Sequence, residues 1–115
     1  MSNHTTLELE FQPGAVATAT IQSAVSDVLL ELADSHSEAH KAAVEADLNP
    51  TDFADTTVQI GTESKGFVIS SIVIAIGAPV AAHVINKLWD DVIWPRIKDT
   101  HGADALGKRK NKKED

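Results

Sequence analysis

Apolar and polar residues alternate at the start of the chain. Leu7, Leu9 and Phe11 interleave with Thr6, Glu8 and Glu10, a two-residue period that predicts a short strand with one buried face, stopped by Pro13 and Gly14. From residue 17 to 47 the period lengthens. Ile21, Val25, Val28, Leu29, Leu32, Ala39, Ala43 and Val44 recur at three and four with acids on the other face, which predicts one long amphipathic helix ended by Asn49 and Pro50. A second short strand over 56–60 follows the turn-forming run Asn49, Pro50, Thr51 and Asp52, and Gly61 closes it. No internal repeat interrupts this order.

Residues 67–85 break the pattern, reading FVISSIVIAIGAPVAAHVI without a charge unless His83 is protonated, between Lys65 and Lys87. As one helix the segment is about 28 Å long, close to the roughly 30 Å of a bilayer's hydrocarbon core. Trp89 and Trp94 follow it as interface anchors, and the basic residues beyond place the carboxyl terminus on the cytoplasmic side. On that helix Ser71, Ala75, Ala78 and Ala82 share a face, with Gly77 and Ala81 as a neighbouring small pair, so a membrane helix is expected to self-associate there. A different reading makes 67–76 a β-branched strand buried on both faces, turned by Gly77, with Pro79 opening a helix over 80–94. A third keeps one long helix and lays its small face on the first helix and the strands.

Charge changes the picture along the chain more than in total. The 115 residues carry a formal net charge of −7, but residues 1–64 hold eleven Asp and Glu against the single Lys41, a balance of −10 that leaves +3 for the rest. An acidic front half is a poor binder of nucleic acid, whose affinity comes from cations on phosphates. The tail contains Lys108, Arg109, Lys110, Lys112 and Lys113 and no apolar residue after Leu106, so it reads as disordered, and its cations suit anionic headgroups or simple solvation. One domain's worth of residues then divides into an acidic strand-helix-strand unit over 1–64, an apolar helix with its Trp-containing continuation over 65–101, and a basic tail over 102–115. The polar start lacks the layout of a signal peptide and reads as mature sequence. Aromatic residues are 4% of the chain, so the core must be aliphatic.

Little chemistry is on offer. The absence of cysteine excludes a disulfide scaffold, a thiol nucleophile and cysteine-ligated metal. His36 and His40 share a helix face, but Glu38 points elsewhere and no third ligand is indicated, so they read as a solvated face and no metal is assigned. Asp90 with Asp91 and Asp52 with Asp55 lack the cleft and substrate-positioning shell that catalytic carboxylates need. No serine lies in GxSxG, and the glycines are too scattered to cradle phosphate. Neither a catalytic residue nor a cofactor is expected.

The stretch KGFVISSIVIAIGAPVAAHVINKLWDDVIWPRIKDTHGADALG, preceded by strand, helix and short strand, resembles in layout the small accessory proteins of bacterial conflict systems, of the effector-associated constant component type. The family's further carboxyl-terminal strand is not evident after Pro95. The resemblance implies a non-enzymatic part encoded beside an effector such as a protease and acting by contact. The expectation is therefore an α+β accessory protein, anchored or self-associating in a membrane as a homo-oligomer through 67–85, whose acidic unit binds a protein partner. The alternative is a cytoplasmic α+β adaptor in which 67–85 is buried core.

Overall fold

The computed structural model describes residues 4–110. Its centre is a three-stranded antiparallel sheet in the order β1-β3-β2, built from β1 (Thr5–Phe11), β2 (Thr57–Lys65) and β3 (Val68–Ala78). The alternation read in β1 sets its register: Leu7, Leu9 and Phe11 stand opposite Ile76, Ile74 and Ile72 on one face, and Thr6, Glu8 and Glu10 opposite Gly77, Ala75 and Val73 on the other. Val58, Ile60 and Thr62 continue the apolar face across β2. Ile72, Ile74, Ile76 and Ala78 are buried there, whereas Thr6, Glu8, Thr57 and Gln59 on the opposite face are exposed.

The segment 67–85 is thus not one helix. It is a hairpin turn, the central strand, and the start of α3 (Ala82–Leu88). β-branched residues at 68, 69, 72, 73, 74 and 76 favour the pleated surface over the helix, and Pro79 sits in the connection, where its missing N–H is harmless. No helix among the described residues is long and apolar enough to cross a membrane. Of the readings weighed, the strand-then-helix version is the one observed, with one correction. β3 buries only one face, because Val73 and Ala75 on the other are half-buried.

The long helix expected over 17–47 is two helices, α1 (Thr18–Glu31) and α2 (Glu38–Glu45). The intervening polar side chains satisfy backbone groups that a continuous helix would have used. Ser37 Oγ donates to the Glu31 carbonyl at 2.6 Å and accepts the His40 N–H at 3.0 Å, capping both helices, while Asp34 Oδ1 accepts the His36 N–H. α2 ends on Asp47 at φ 64°, with Leu48 N–H bonded back to the Ala43 carbonyl. A 3₁₀ turn, Pro50–Phe53, leads into β2, which runs five residues further at its far end than expected.

After α3 the chain widens into a π-helical turn, Trp89–Ile93, and tightens again into α4 (Trp94–His101). Pro95 supplies the reason: it has no N–H and its ring crowds the carbonyl four residues back, so Trp94 N–H bonds Trp89 five residues back instead. The wider turn keeps Trp89, Val92, Ile93 and Ile97 all in the core. Trp89 packs on Phe11 with ring centroids 5.4 Å apart and stacks on Trp94 at 6.2 Å.

The tail expected to be disordered from residue 102 is ordered to Lys110. Ala105 and Leu106 are buried in the core, and residues 107–110 run antiparallel to β1 along its open edge. Gln12 N–H donates to the Lys108 carbonyl and Lys110 N–H to the Glu10 carbonyl. Gly14 permits the approach, since a Cβ there would lie 2.5 Å from the Ala105 carbonyl oxygen and 2.6 Å from that of Asp104. Lys112 and Lys113 lie outside the described residues.

Candidate functional site

The residues singled out as a small membrane face do not share one face. Ser71, Ala75 and Gly77 lie on the polar side of β3, and Ala78 is buried on the apolar side. Ala81 and Ala82 are exposed at the start of α3. Gly77 is covered by the side chains of His4, Thr6 and Thr57. Trp89 is buried in the core and Trp94 half-buried against it, with Lys98 Nζ 5.9 Å from the Trp94 ring centroid, so the pair packs the helical layer onto the sheet. Their position just past an apolar run is that of an interface belt, but here the run is a central strand followed by a core helix.

The basic tail is partly engaged with the fold. Arg109 lies 3.7 Å from Asp90 and donates to Asn86 Oδ1 at 2.9 Å. Lys110 Nζ reaches over the polar face of the sheet to Glu10 at 3.8 Å, to the Ser70 carbonyl at 3.1 Å and to Ser71 Oγ. Ser71 is only 1% exposed, so that ammonium satisfies a hydroxyl the sheet has removed from water. Lys108 is exposed.

His36 and Glu38 are exposed, and His40 Nδ1 is 2.9 Å from the Leu32 carbonyl, which holds the ring to the end of α1. No group of three metal-ligating side chains occurs among the described residues.

What the structure does bring together lies at the other end of the sheet. The β2–β3 hairpin turns at Gly66, whose φ of 64° a side chain would strain, and it carries Phe67, Val68 and Ile69 out into solvent. Phe67 is fully exposed at 106%, and Val68 and Ile69 are 69% and 46% exposed. The register shifts between Glu63 and Ser64, so Glu63 stands opposite Ser71 and Ser64 opposite Ile69. Ser70, the residue skipped, donates its hydroxyl to the Glu63 carbonyl.

β2 is also an edge strand, and it is closed over only part of its length. Gln22 of α1 lays its amide against it, donating from Nε2 to the Val58 carbonyl at 3.1 Å and accepting the Ile60 N–H on Oε1 at 3.2 Å. One side chain thereby occupies the place of a peptide unit from a neighbouring strand. These bonds show that the even-numbered backbone groups of β2 point outward, while their odd-numbered neighbours face β3. Past Gln22 the Ile60 carbonyl and both backbone groups of Thr62 face outward along an exposed stretch. An unpaired edge beside exposed apolar side chains is a ready template for another strand.

Near the beginning of the same edge lies an open hollow of about 450 Å³ lined by Ser26, Leu29, Leu30, Phe53, Ala54 and Val58. Leu30 is 74% exposed at its rim. A second hollow, about 310 Å³, adjoins it across Leu29, Leu30, Phe53 and Ala54 and extends to His40 and Pro50.

Comparison of the chain with protein-family models, curated proteins and solved structures finds no match. The hairpin is also the element that sequence reading missed. Its signal was present, since Gly66 separates two strand-forming runs, but the apolar run that follows also has the length of a membrane helix, a pattern in which Gly66 marks no turn. Gln22 carried no signal, because a half-buried glutamine on a helix looks like any other polar position.

Proposed function

We propose that this chain is a non-enzymatic interaction module of the α+β class, and that the β2–β3 hairpin is its contact element. The observation that carries the reading is the solvent-exposed run Phe67, Val68 and Ile69 at the tip of a strand pair whose outer edge is open. Large apolar side chains placed consecutively on a turn cost solubility and contribute nothing to the chain's own core, which is how contact sites differ from scattered surface apolar residues. Two polar edges of the molecule are handled differently: β1 is covered by residues 107–110 and the start of β2 by Gln22. Along β2 the open stretch is thus the one that leads into the hairpin. The layout shared with accessory proteins of conflict systems adds a compatible role, that of a part acting by protein contact.

The test is a photo-crosslinking amino acid at position 67, introduced into the full chain in cells, with Lys41 as an exposed control position. A discrete protein adduct at 67 that position 41 does not give is the expected result. Adducts only to lipid, or a pattern identical to the control, would overturn the reading.

A further inference from the structure

We propose that the hollow between the end of α1 and the 3₁₀ turn, about 310 Å³ and reaching from His40 and Pro50 to Leu30 and Phe53, binds an apolar primary amine. A hollow of this volume suits a small organic molecule. The polar groups of its wall decide what head such a ligand carries. His40 Nδ1 lies 2.9 Å from the Leu32 carbonyl, which can only accept, so Nδ1 carries the hydrogen and the other nitrogen of the neutral ring, Nε2, is an acceptor. Nε2 has no hydrogen-bond partner among the described residues. Thr51 Oγ1 donates its one hydrogen to Asn49 Oδ1 at 2.8 Å, which leaves its lone pairs. The N–H groups of the wall are spent within the chain: Thr51 on Asn49 Oδ1, His40 on Ser37 Oγ, Leu32 on the Val28 carbonyl, Ala33 on that of Leu30 and Ala54 on that of Thr51. Pro50 has none. The wall thus offers acceptors without donors, and a ligand that satisfies it must bring the donors.

Charge moves the choice from a hydroxyl to an ammonium. Every residue lining this hollow or the one adjoining it lies between 26 and 58, within the front half whose balance is −10. Asp34, Asp52 and Asp55, each next in sequence to a lining residue, are exposed, and Lys41 is the one Lys or Arg of that half. A field of that sign draws in a cation and repels an anion. An ammonium has three donors to place on His40 Nε2 and Thr51 Oγ1. The apolar remainder of the ligand lies along Leu29, Leu30 and Phe53, which the two hollows share, toward Val58. It gives Leu30, 74% exposed on its helix, an apolar neighbour. The site is separate from the hairpin, so it stands or falls independently of any contact at Phe67.

Amide and imidazole NMR of the full chain at pH 8 tests this, where imidazoles are generally neutral and alkylamines charged. The probes are 2-phenylethylamine and octylamine, with the uncharged 2-phenylethanol and the anion phenylacetate as controls. Both amines are expected to shift the amides of Ala33, His40, Thr51 and Ala54 and to move the His40 Nε2 resonance. They should bind at least about tenfold more tightly than 2-phenylethanol, and phenylacetate should not bind. Thr51→Val removes one acceptor at an exposed residue and should weaken both amines about tenfold. His40→Phe removes the other, with circular dichroism checking the fold; where that variant does not fold, Thr51→Val decides alone. Amines that leave those four amides unmoved, an alcohol that binds as tightly as they do, or an affinity indifferent to the substitutions would each overturn the proposal.

Discussion

The ammonium of Lys110 stands in for water at a hydroxyl that the sheet has buried. Ser71 lies on the polar face of the central strand, where a short side chain leaves room for the Lys110 stem to cross β1 and end among Ser71, the Ser70 carbonyl and Glu10. The ion pair with Glu10 is partly exposed at Lys110 and adds little, because surface charges are screened. The hydrogen bond to a buried hydroxyl matters more, since losing one partner strands the other. Lys110→Ala is therefore expected to lower stability by about 1–3 kcal/mol, read from the urea midpoint. The same change in a Ser71→Ala background should cost clearly less, because no buried hydroxyl is then left without a donor; equal costs in both backgrounds would show that the contact carries no such weight.

At the scale of elements, the decisive competition was between strand and helix in one apolar run. The β-branched residues of 68–76 and the punctuation by Gly66 and Pro79 were readable, and they are the features that the observed β3 and α3 follow, whereas Gly77, expected to turn the chain, lies inside β3 opposite Thr6 and Thr57. Length and the flanking tryptophans argued for a span, but these are features a central strand followed by a core helix shares. The break between α1 and α2 was less legible, because Ser37 and Asp34 act through geometry that forms only once the chain turns. The tail was misread for a related reason: Gly107 to Lys110 has nothing apolar to bury, and its order comes from backbone pairing with β1 and from Lys110 rather than from hydrophobic burial. Gly14 is the hinge of that pairing. Gly14→Ala would push a methyl into the backbone at Asp104, Ala105 and Leu106 and should cost roughly 1–3 kcal/mol, with hydrogen exchange rising first at the Lys110 and Gln12 amides. Unchanged protection at those two amides would mean that the close approach is not needed.

Across the whole molecule, all four helices contribute to one core on a single face of the sheet, and the other face is left polar. The two edges of that sheet are treated unequally. Along β1, residues 107–110 take up the carboxyl half of the edge; along β2, one glutamine side chain takes up the amino half and the hairpin stays open. A chain ending at Leu106 would lose the first of these covers. Such a chain is expected to form larger species in sedimentation than the full chain does at the same concentration; a truncated chain that behaves like the full one would show that β1 is protected by something else. The inequality of the edges can be put in terms of valence. A sheet with two free edges is a bifunctional monomer and grows into a fibre, and each stretch of edge that is taken up lowers that valence, so a few residues laid along β1 weigh against open-ended polymerisation.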